Sequence, residues 1–348
     1  MKKVGILTFH DGINHGAYLQ AYSLMKTVEK LGFNVEIINY KNRHHWKSEY
    51  RAFLIRKNVI MILLNLYKIL KFRKAQQKFK LNPQNLLLDS QCLYSTPYDV
   101  IIVGSDIVWN FELDHLGKDP VYFGHKLNAQ RIISFAPSFG AININTEAPD
   151  YVVEGLKKFS AISVRDENSR VLTKKIFNRD PKVVLDPTFL YDFRDVEIEP
   201  KFEKFLLVYA FRLRKTEIEQ LKKFAALKKL KTIAIGYENY WCDKNVIALD
   251  PFEWLGYFKK AAYVATGTFH GTIFCIKYNK NFCISNNDAI NNKILAILGN
   301  LKLLNRILAE DNTANMIFND TINYAEVNSK LEHLVNDSVR YLKEALDA

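Results

Sequence analysis

Five short runs of this chain combine polar side chains with small ones in the way a ligand site requires. HDGINHGAYLQAY, residues 10–22, offers His10, Asp11, Asn14, His15 and Gln20. Imidazole, carboxylate and amide groups of this kind recognise hydroxyls, but the run serves equally as a helix start in which Asn14 or Asp11 caps open backbone donors. VGSDIVWN, residues 103–110, sets Asp106 and Trp109 after a small Gly-Ser pair, and the indole either stacks on a sugar face or fills a core. FAPSFG, residues 135–140, reads as a binding edge or a plain turn. SVRDENS, residues 163–169, carries Arg165, whose planar fork matches a carboxylate or phosphate through two parallel charged hydrogen bonds. Its alternative partners are Asp166 and Glu167 in the same run. ATGTFHGTIFCI, residues 265–276, groups Thr266, Gly267, Thr268, His270 and Gly271. A helix beginning here would turn open N–H groups toward an anion, with His270 on its first turn either structural or positioned to exchange a proton near neutral pH.

Each run follows an apolar stretch of strand length, and parallel α/β sheets bind ligands beyond the carboxyl ends of their strands. Strands are expected at 4–9, 34–40, 98–106, 131–140, 161–169 and 182–191, with a helix over 17–31 stopped by Gly32. DFRDVEIEPKFEKF, residues 192–205, breaks the pattern. A second series follows, with strands at 205–211, 232–237 and 263–267 and helices at 216–230, 250–261, 269–279 and 324–346. Pro251 suits the first turn of its helix. The expected fold is α/β, with two Rossmann-like domains, 1–196 and 197–348, facing across a cleft. The first carries a basic helical insertion over about 41–97. The GxGxxG dinucleotide fingerprint and repeats of 20–50 residues are both missing.

Composition agrees with two soluble domains. The chain has 348 residues against about 150 for an ordinary domain, 48% hydrophobic and 25% charged, which excludes wholesale disorder, collagen and a multi-span membrane protein. Cys92, Cys242, Cys275 and Cys283 lie far apart without CxxC spacing, so reduced thiols are expected rather than disulfides or a zinc site. MKKVGILTF runs straight into a strand pattern without a leader, which points to the cytoplasm. The net charge of +12 is concentrated, because residues 41–80 hold twelve Lys and Arg against one acid, Glu49. NVIMILLNLYKILKF, residues 58–72, falls short of the roughly 20 apolar residues of a membrane span. It reads either as a basic helix lying on the inner membrane surface through residues 51–80, or as a helix over 59–70 packed on the protein's own body. Nucleic acid is not the expected partner, since no nucleic-acid motif accompanies the charge.

Taken in order, NHGAYLQAY, VGSDIVWN, FAPSFG, ISVRDENS, VLDPTFL and TFHGTIF resemble the polysaccharide pyruvyl transferase family, over residues 4 to about 285. That resemblance implies an architecture similar to GT-B glycosyltransferases. It also implies transfer of the pyruvyl group of phosphoenolpyruvate, a co-substrate, onto two hydroxyls of a saccharide acceptor, lipid-linked forms included, as a cyclic ketal. The family's catalytic arginine and histidine correspond to Arg165 and His270. On this reading the C-terminal domain takes the donor phosphate at Thr266, Gly267, Thr268 and Gly271, and no metal or further cofactor is required. The N-terminal strand ends would hold the acceptor through Asn14, His15, Gln20, Asp106 and Trp109. The chain departs from the family at Gly267, where an acid is commoner, and near Lys293, where an arginine is. Two other readings stand beside this one. A GT-B glycosyltransferase using a nucleotide sugar would want an acid for the ribose near residues 265–285, and the sequence has none there. A non-catalytic glycan-binding module would keep the fold without the chemistry.

Overall fold

The structure, a computed structural model, describes residues 1–55, 58–285 and 292–348. It contains two compact units. The first comprises Met1–Lys57, Gln76–Tyr191 and His333–Ala348. Its sheet contains β1 (Lys3–Leu7), β2 (Asn34–Tyr40), β3 (Leu81–Leu87), β4 (Tyr98–Val103), β5 (Ala129–Ser134) and β6 (Phe159–Ala161). They lie in the order β3-β2-β1-β4-β5-β6, all parallel. β1 and β4 form its centre, pairing Val4 with Val100 and Ile6 with Ile102, and their unbroken apolar sequences reflect cover on both faces. Helices α1 (His15–Lys30), α2 (Arg43–Leu54), α4 (Asp150–Leu156) and α5 (Glu167–Phe177) belong to this unit. β7 (Ser163–Val164) pairs separately with β8 (Lys182–Val183).

The second unit comprises Asn58–Ala75 and Asp192–Glu332. Strands β9 (Phe205–Tyr209), β10 (Lys231–Ile235), β11 (Lys244–Val246), β12 (Tyr263–Thr266) and β13 (Asn281–Ile284) run parallel in the order β11-β10-β9-β12-β13. Around them lie α6 (Lys215–Leu227), α7 (Pro251–Lys260), α8 (Phe269–Lys277), α9 (Asn292–Asn300) and α10 (Ala314–Asn319). In both sheets the winding reverses beside the first strand, at β1/β4 and at β9/β12. The crevice outside the carboxyl ends of those strands is where such sheets bind ligands.

Three features differ from expectation. The segment 41–97 is not wholly an insertion, because β3 extends the sheet beyond β2; Pro83 and the flanking asparagines hide its strand character. The long strands expected at 161–169 and 182–191 shrink to β7 and β8. Arg165, Asp166, Asp186 and Pro187 follow them and use their hydrogen bonds outside any ladder. The division between units falls at Tyr191/Asp192 and is crossed twice. Helix α3 (Val59–Gln76) joins the second unit, where Lys71 pairs with Glu253 at 2.7 Å. From His333 onward α11 (Tyr324–Asp347) belongs to the first unit, where Tyr341 donates to the Ser134 carbonyl at 3.1 Å and Arg131 to the carbonyls of Ala345 and Leu346.

Local chemistry explains the helix that meets α3. Asp250 accepts from the N–H groups of Phe252 and Glu253, both at 2.8 Å, and Glu253 reaches back to the Asp250 N–H at 2.9 Å, closing a capping box around Pro251. Midway along α7, Gly256 lets the helix pass against the 198–199 backbone, where any Cβ would collide with the Ile198 carbonyl. Gly299 in α9 has nothing near its missing side chain. Gly256→Ala is expected to lower stability by about 1–3 kcal/mol through overpacking against rigid backbone. Gly299→Ala is expected to raise it by about 0.5–1 kcal/mol through helix propensity. Urea denaturation of the full chain reads both, and equal effects would contradict the packing described for α7.

Candidate active site

At the carboxyl end of β4 the chain turns through Gly104, Ser105 and Asp106. Gly104 has φ +113°, and a side chain there would strike the Phe135 carbonyl, so the position demands glycine. Asp106 at φ 74° and Ala136 at φ 54° also occupy the left-handed region. The surroundings hold these conformations in place. Thr8 Oγ1 donates to the Ser105 carbonyl at 3.0 Å and Ser105 Oγ to that of Ala136 at 3.1 Å. The Ser138 N–H reaches the Asp106 carbonyl at 2.8 Å, and the Arg165 N–H reaches that of Pro137 at 3.1 Å. The segments after β1, β4, β5 and β7 are thereby stitched together.

Arg165 lies in this network with its side chain 2% exposed. Nη1 donates to Asp186 Oδ2 at 2.7 Å, and Nη2 to Asp106 Oδ1 at 3.4 Å. Burial works against the guanidinium charge, and Asp186 followed by Asp106 outweighs it, holding the group above its ordinary pKa. Asp186 is fixed in turn, since its other oxygen accepts from the N–H and hydroxyl of Thr188 at 3.0 and 2.7 Å. The partners suggested by proximity in sequence lie elsewhere. Asp166 caps α5, accepting from the Ser169 N–H, the Ser169 hydroxyl and the Ser138 hydroxyl at 2.9, 2.7 and 2.6 Å. Glu167 pairs at the surface with Arg170 at 3.2 Å.

The expected acceptor residues separate into two groups. Trp109 is a core residue: it is 0% exposed, stacks on Phe123 and donates from Nε1 to the Tyr122 carbonyl at 2.8 Å, so its ring presents no face to a sugar. Gln20 is equally enclosed, its Nε2 holding Thr8 Oγ1, the Phe9 carbonyl and the Ala17 carbonyl at 2.9, 3.2 and 3.0 Å. His15 is buried on the first turn of α1. Asn14 is exposed and caps that helix, accepting from the Ala17 N–H at 3.1 Å. Asp106 remains partly open at 15% and lies beside Arg165.

The structure adds Lys41 and His45 at this edge, which the sequence did not single out, beside His10, which it did. Lys41, directly after β2, is buried in an ion pair with Glu49 of α2. His45 of α2 packs edge-on against Phe9 at 4.7 Å and lies 3.8 Å from Glu49. Burial, then Lys41, His115 and His44, pushes its pKa down to about 3, so this imidazole stays neutral. His10, bonded to the Thr8 carbonyl at 3.2 Å and Asn39 Oδ1 at 2.8 Å, is likewise lowered by burial. The strand-end rule, applied to β2 as to its neighbours, would have found Lys41.

In the second unit, Thr266 ends β12 and donates from Oγ1 to the Tyr209 carbonyl at 2.8 Å, tying β12 to the end of β9. Thr268 caps α8, accepting from the Gly271 N–H at 3.0 Å. Gly271 must lack a side chain, since a Cβ would run into the Thr266 hydroxyl. His270 follows on the first turn, partly exposed, and Lys293 of α9 places its ammonium 5.9 Å from the Phe269 ring. A helix N-terminus, two hydroxyls, an imidazole and an ammonium thus meet at one sheet edge. No acid stands near in sequence, but α6 supplies one: buried Glu217 accepts from the Ser285 hydroxyl and the Arg214 N–H, both at 2.8 Å. Among the described residues no group of three or more His, Cys, Asp or Glu side chains is placed to share a metal ion.

Known proteins resemble this chain in sequence pattern and in fold. The sequence pattern described as polysaccharide pyruvyl transferase matches residues 14–288. No curated protein matches the chain. Among solved structures, the S. aureus MnaA co-structure with UDP has a TM-score of 0.51 at 11% identity, over 97% of this chain and 91% of that one. The UDP-GlcNAc 2-epimerase of Neisseria meningitidis bound to UDP-GlcNAc gives 0.53 at 10%, over 99% of each chain. Arabidopsis thaliana UGT89C1 complexed with UDP-L-rhamnose gives 0.51 at 12%, over 98% of each. At such identities the likeness establishes the fold, which is GT-B-like. With that pattern running over most of its length and its motifs collected at the switch points of two parallel sheets, the chain belongs to the polysaccharide pyruvyl transferase family.

Proposed function

We propose that this protein transfers the pyruvyl group of phosphoenolpyruvate onto two hydroxyls of a saccharide during surface polysaccharide assembly, closing a cyclic ketal and releasing inorganic phosphate. The observation that carries the reading is the position of His270 on the first turn of α8, beside the capped helix start and Lys293. Phosphoenolpyruvate brings a phosphate and a carboxylate, so its receptor must supply N–H donors and cations, and this edge has both. Its two threonines divide the work. Thr266 donates to the Tyr209 carbonyl and fixes the edge, whereas Thr268 accepts from the Gly271 N–H and exchanges its long 3.4 Å contact with the Thr266 hydroxyl for a phosphate oxygen. Gly267, partly exposed, allows the phosphate to approach the backbone, and Gly271 lets α8 start close against Thr266.

The reaction begins when the methylene carbon takes a proton, which His270 delivers as general acid, leaving positive charge on C2. A sugar hydroxyl adds to C2 and loses its proton to the imidazole. The C2–O bond to phosphate then breaks as a second hydroxyl closes the ring, and that second proton leaves with the phosphate. Two C–O bonds, one C–H bond and one phosphate O–H bond form, while the C2=C3 π bond, the C2–O bond to phosphate and two sugar O–H bonds are lost. For Arg165 the family resemblance implies stabilisation of the donor's negative charge; Asp186 orients its guanidinium through Nη1 at 2.7 Å, and Nη2 has the longer contact, 3.4 Å, to Asp106. Asp106, partly open beside Arg165, orients a saccharide hydroxyl by accepting its hydrogen bond and takes no proton.

Phosphate release from phosphoenolpyruvate with a panel of galactosides and other saccharides tests the reading. His270→Ala is expected to slow release by about 10²–10⁴-fold with little loss of stability, as befits an acid–base group at a partly exposed position. Thr268→Val removes both cap and phosphate donor, and is expected to raise KM for phosphoenolpyruvate and to cost about 1 kcal/mol in unfolding. Arg165→Met strands two carboxylates and is expected to destabilise the protein by about 3–5 kcal/mol, read by urea denaturation. Acceptor-dependent release at an undiminished rate in His270→Ala would refute its assignment. Thermal stabilisation by UDP or GDP but not by phosphoenolpyruvate would transfer the function to nucleotide-sugar chemistry.

A further inference from the structure

Helix α3 is apolar on the side it turns to water. Its buried stripe is Asn65, Lys68, Ile69, Phe72 and Ala75, and burial pushes the Lys68 ammonium down to about 8. The opposite stripe is Val59, Ile60, Leu63, Leu66, Tyr67 and Leu70, exposed by 67, 66, 61, 43, 55 and 62%. One turn further on, the same stripe becomes Arg73 and Lys74, also exposed. Six large apolar side chains in a row over three turns form a patch of the kind that soluble surfaces reserve for a partner.

The charge around the patch selects that partner. Helix α3 carries Lys68, Lys71, Arg73 and Lys74 and no acid, within a segment of twelve basic residues and one acidic residue. A second copy docking on this face would bring two strongly basic segments together, and their repulsion opposes such a dimer. An anionic lipid surface satisfies both features, because its acyl boundary takes the apolar stripe and its phosphates take the basic turn. Among the described residues no helix is long and apolar enough to cross a membrane, so α3 would lie along the interface. We propose that α3 docks this protein on an anionic lipid surface, with Leu63, Leu66, Tyr67 and Leu70 immersed and Arg73 and Lys74 against lipid phosphates. The proposal reaches beyond pyruvyl transfer, since it requires neither donor nor acceptor.

Co-sedimentation of the full-length protein with phosphatidylcholine vesicles, with and without phosphatidylglycerol, tests it. Binding is expected on the anionic vesicles and is expected to weaken as salt rises. Arg73→Gln with Lys74→Gln should reduce it about 25-fold, taking about fivefold for each basic residue near the surface. Leu63→Glu with Leu70→Glu should abolish it while the circular dichroism spectrum stays unchanged, because both side chains are exposed. No association of folded wild-type protein with anionic vesicles would overturn the proposal, as would binding that neither double variant alters. A concentration-dependent dimer in sedimentation that Leu63→Glu with Leu70→Glu dissolves would instead assign the face to a second copy. Phosphate release in vesicle-free solution reports on the reaction separately, so either proposal can fail alone.

Discussion

Arg165 held between Asp186 and Asp106 is the interaction around which the first unit's polar edge is built. Taking a guanidinium out of water costs several kcal/mol unless it is paired and hydrogen-bonded, and here carboxylates from two separate motifs supply the pairing. Each carboxylate is fixed by its neighbours: Asp186 by Thr188, and Asp106 by the Ile107 N–H at 2.8 Å and a backbone turn that Gly104 makes feasible. VGSD, FAPSFG, SVRDENS and VLDPTFL thus form one hydrogen-bonded assembly although up to 85 residues separate them. The constraint also has a chemical consequence. One guanidinium against two carboxylates leaves the Arg165 cluster itself without an excess of positive charge.

That second edge follows a different physical logic. Its main device is the end of a helix, whose first N–H groups have no acceptor within the helix and whose dipole favours an anion. Thr268 and Gly271 set the angle at which α8 leaves β12, and the absent side chain at Gly271 allows the helix to begin directly against Thr266. A lysine at 293 in place of an arginine keeps the charge but gives up the bidentate fork, which suits attraction of a phosphate better than orientation of a carboxylate.

Much of this was legible in the sequence because local rules and tertiary structure agree there. The βαβ alternation placed β1, α1, β2, β9, α7, β12 and α8 to within a few residues, and the strand-end rule led to Arg165, Asp106 and Thr268. It failed where burial decides the role. Nothing in the spacing of VGSDIVWN tells whether an indole faces a sugar or Tyr122, and nothing in QAY shows that Gln20 holds three partners of the β1–α1 turn. Asp186 as the partner of Arg165, Glu217 as the acid beside Ser285, and Lys41 with Glu49 all arise from contacts distant in sequence or from an element, α2, that periodicity did not delimit. Of the two readings of the basic segment, packing on the protein's own body is met by one stripe of α3, while its other stripe is exposed.

The account stands or falls on what happens to C2 of phosphoenolpyruvate. Following donor labelled with carbon-13 at that atom by NMR, in the presence of saccharide acceptors, distinguishes the outcomes directly. The account predicts that the vinyl carbon signal is replaced by that of a ketal carbon bonded to two sugar oxygens, one phosphate being released for each ketal formed. Retention of the vinyl signal with every acceptor, while the same protein consumes a nucleotide sugar, would contradict it.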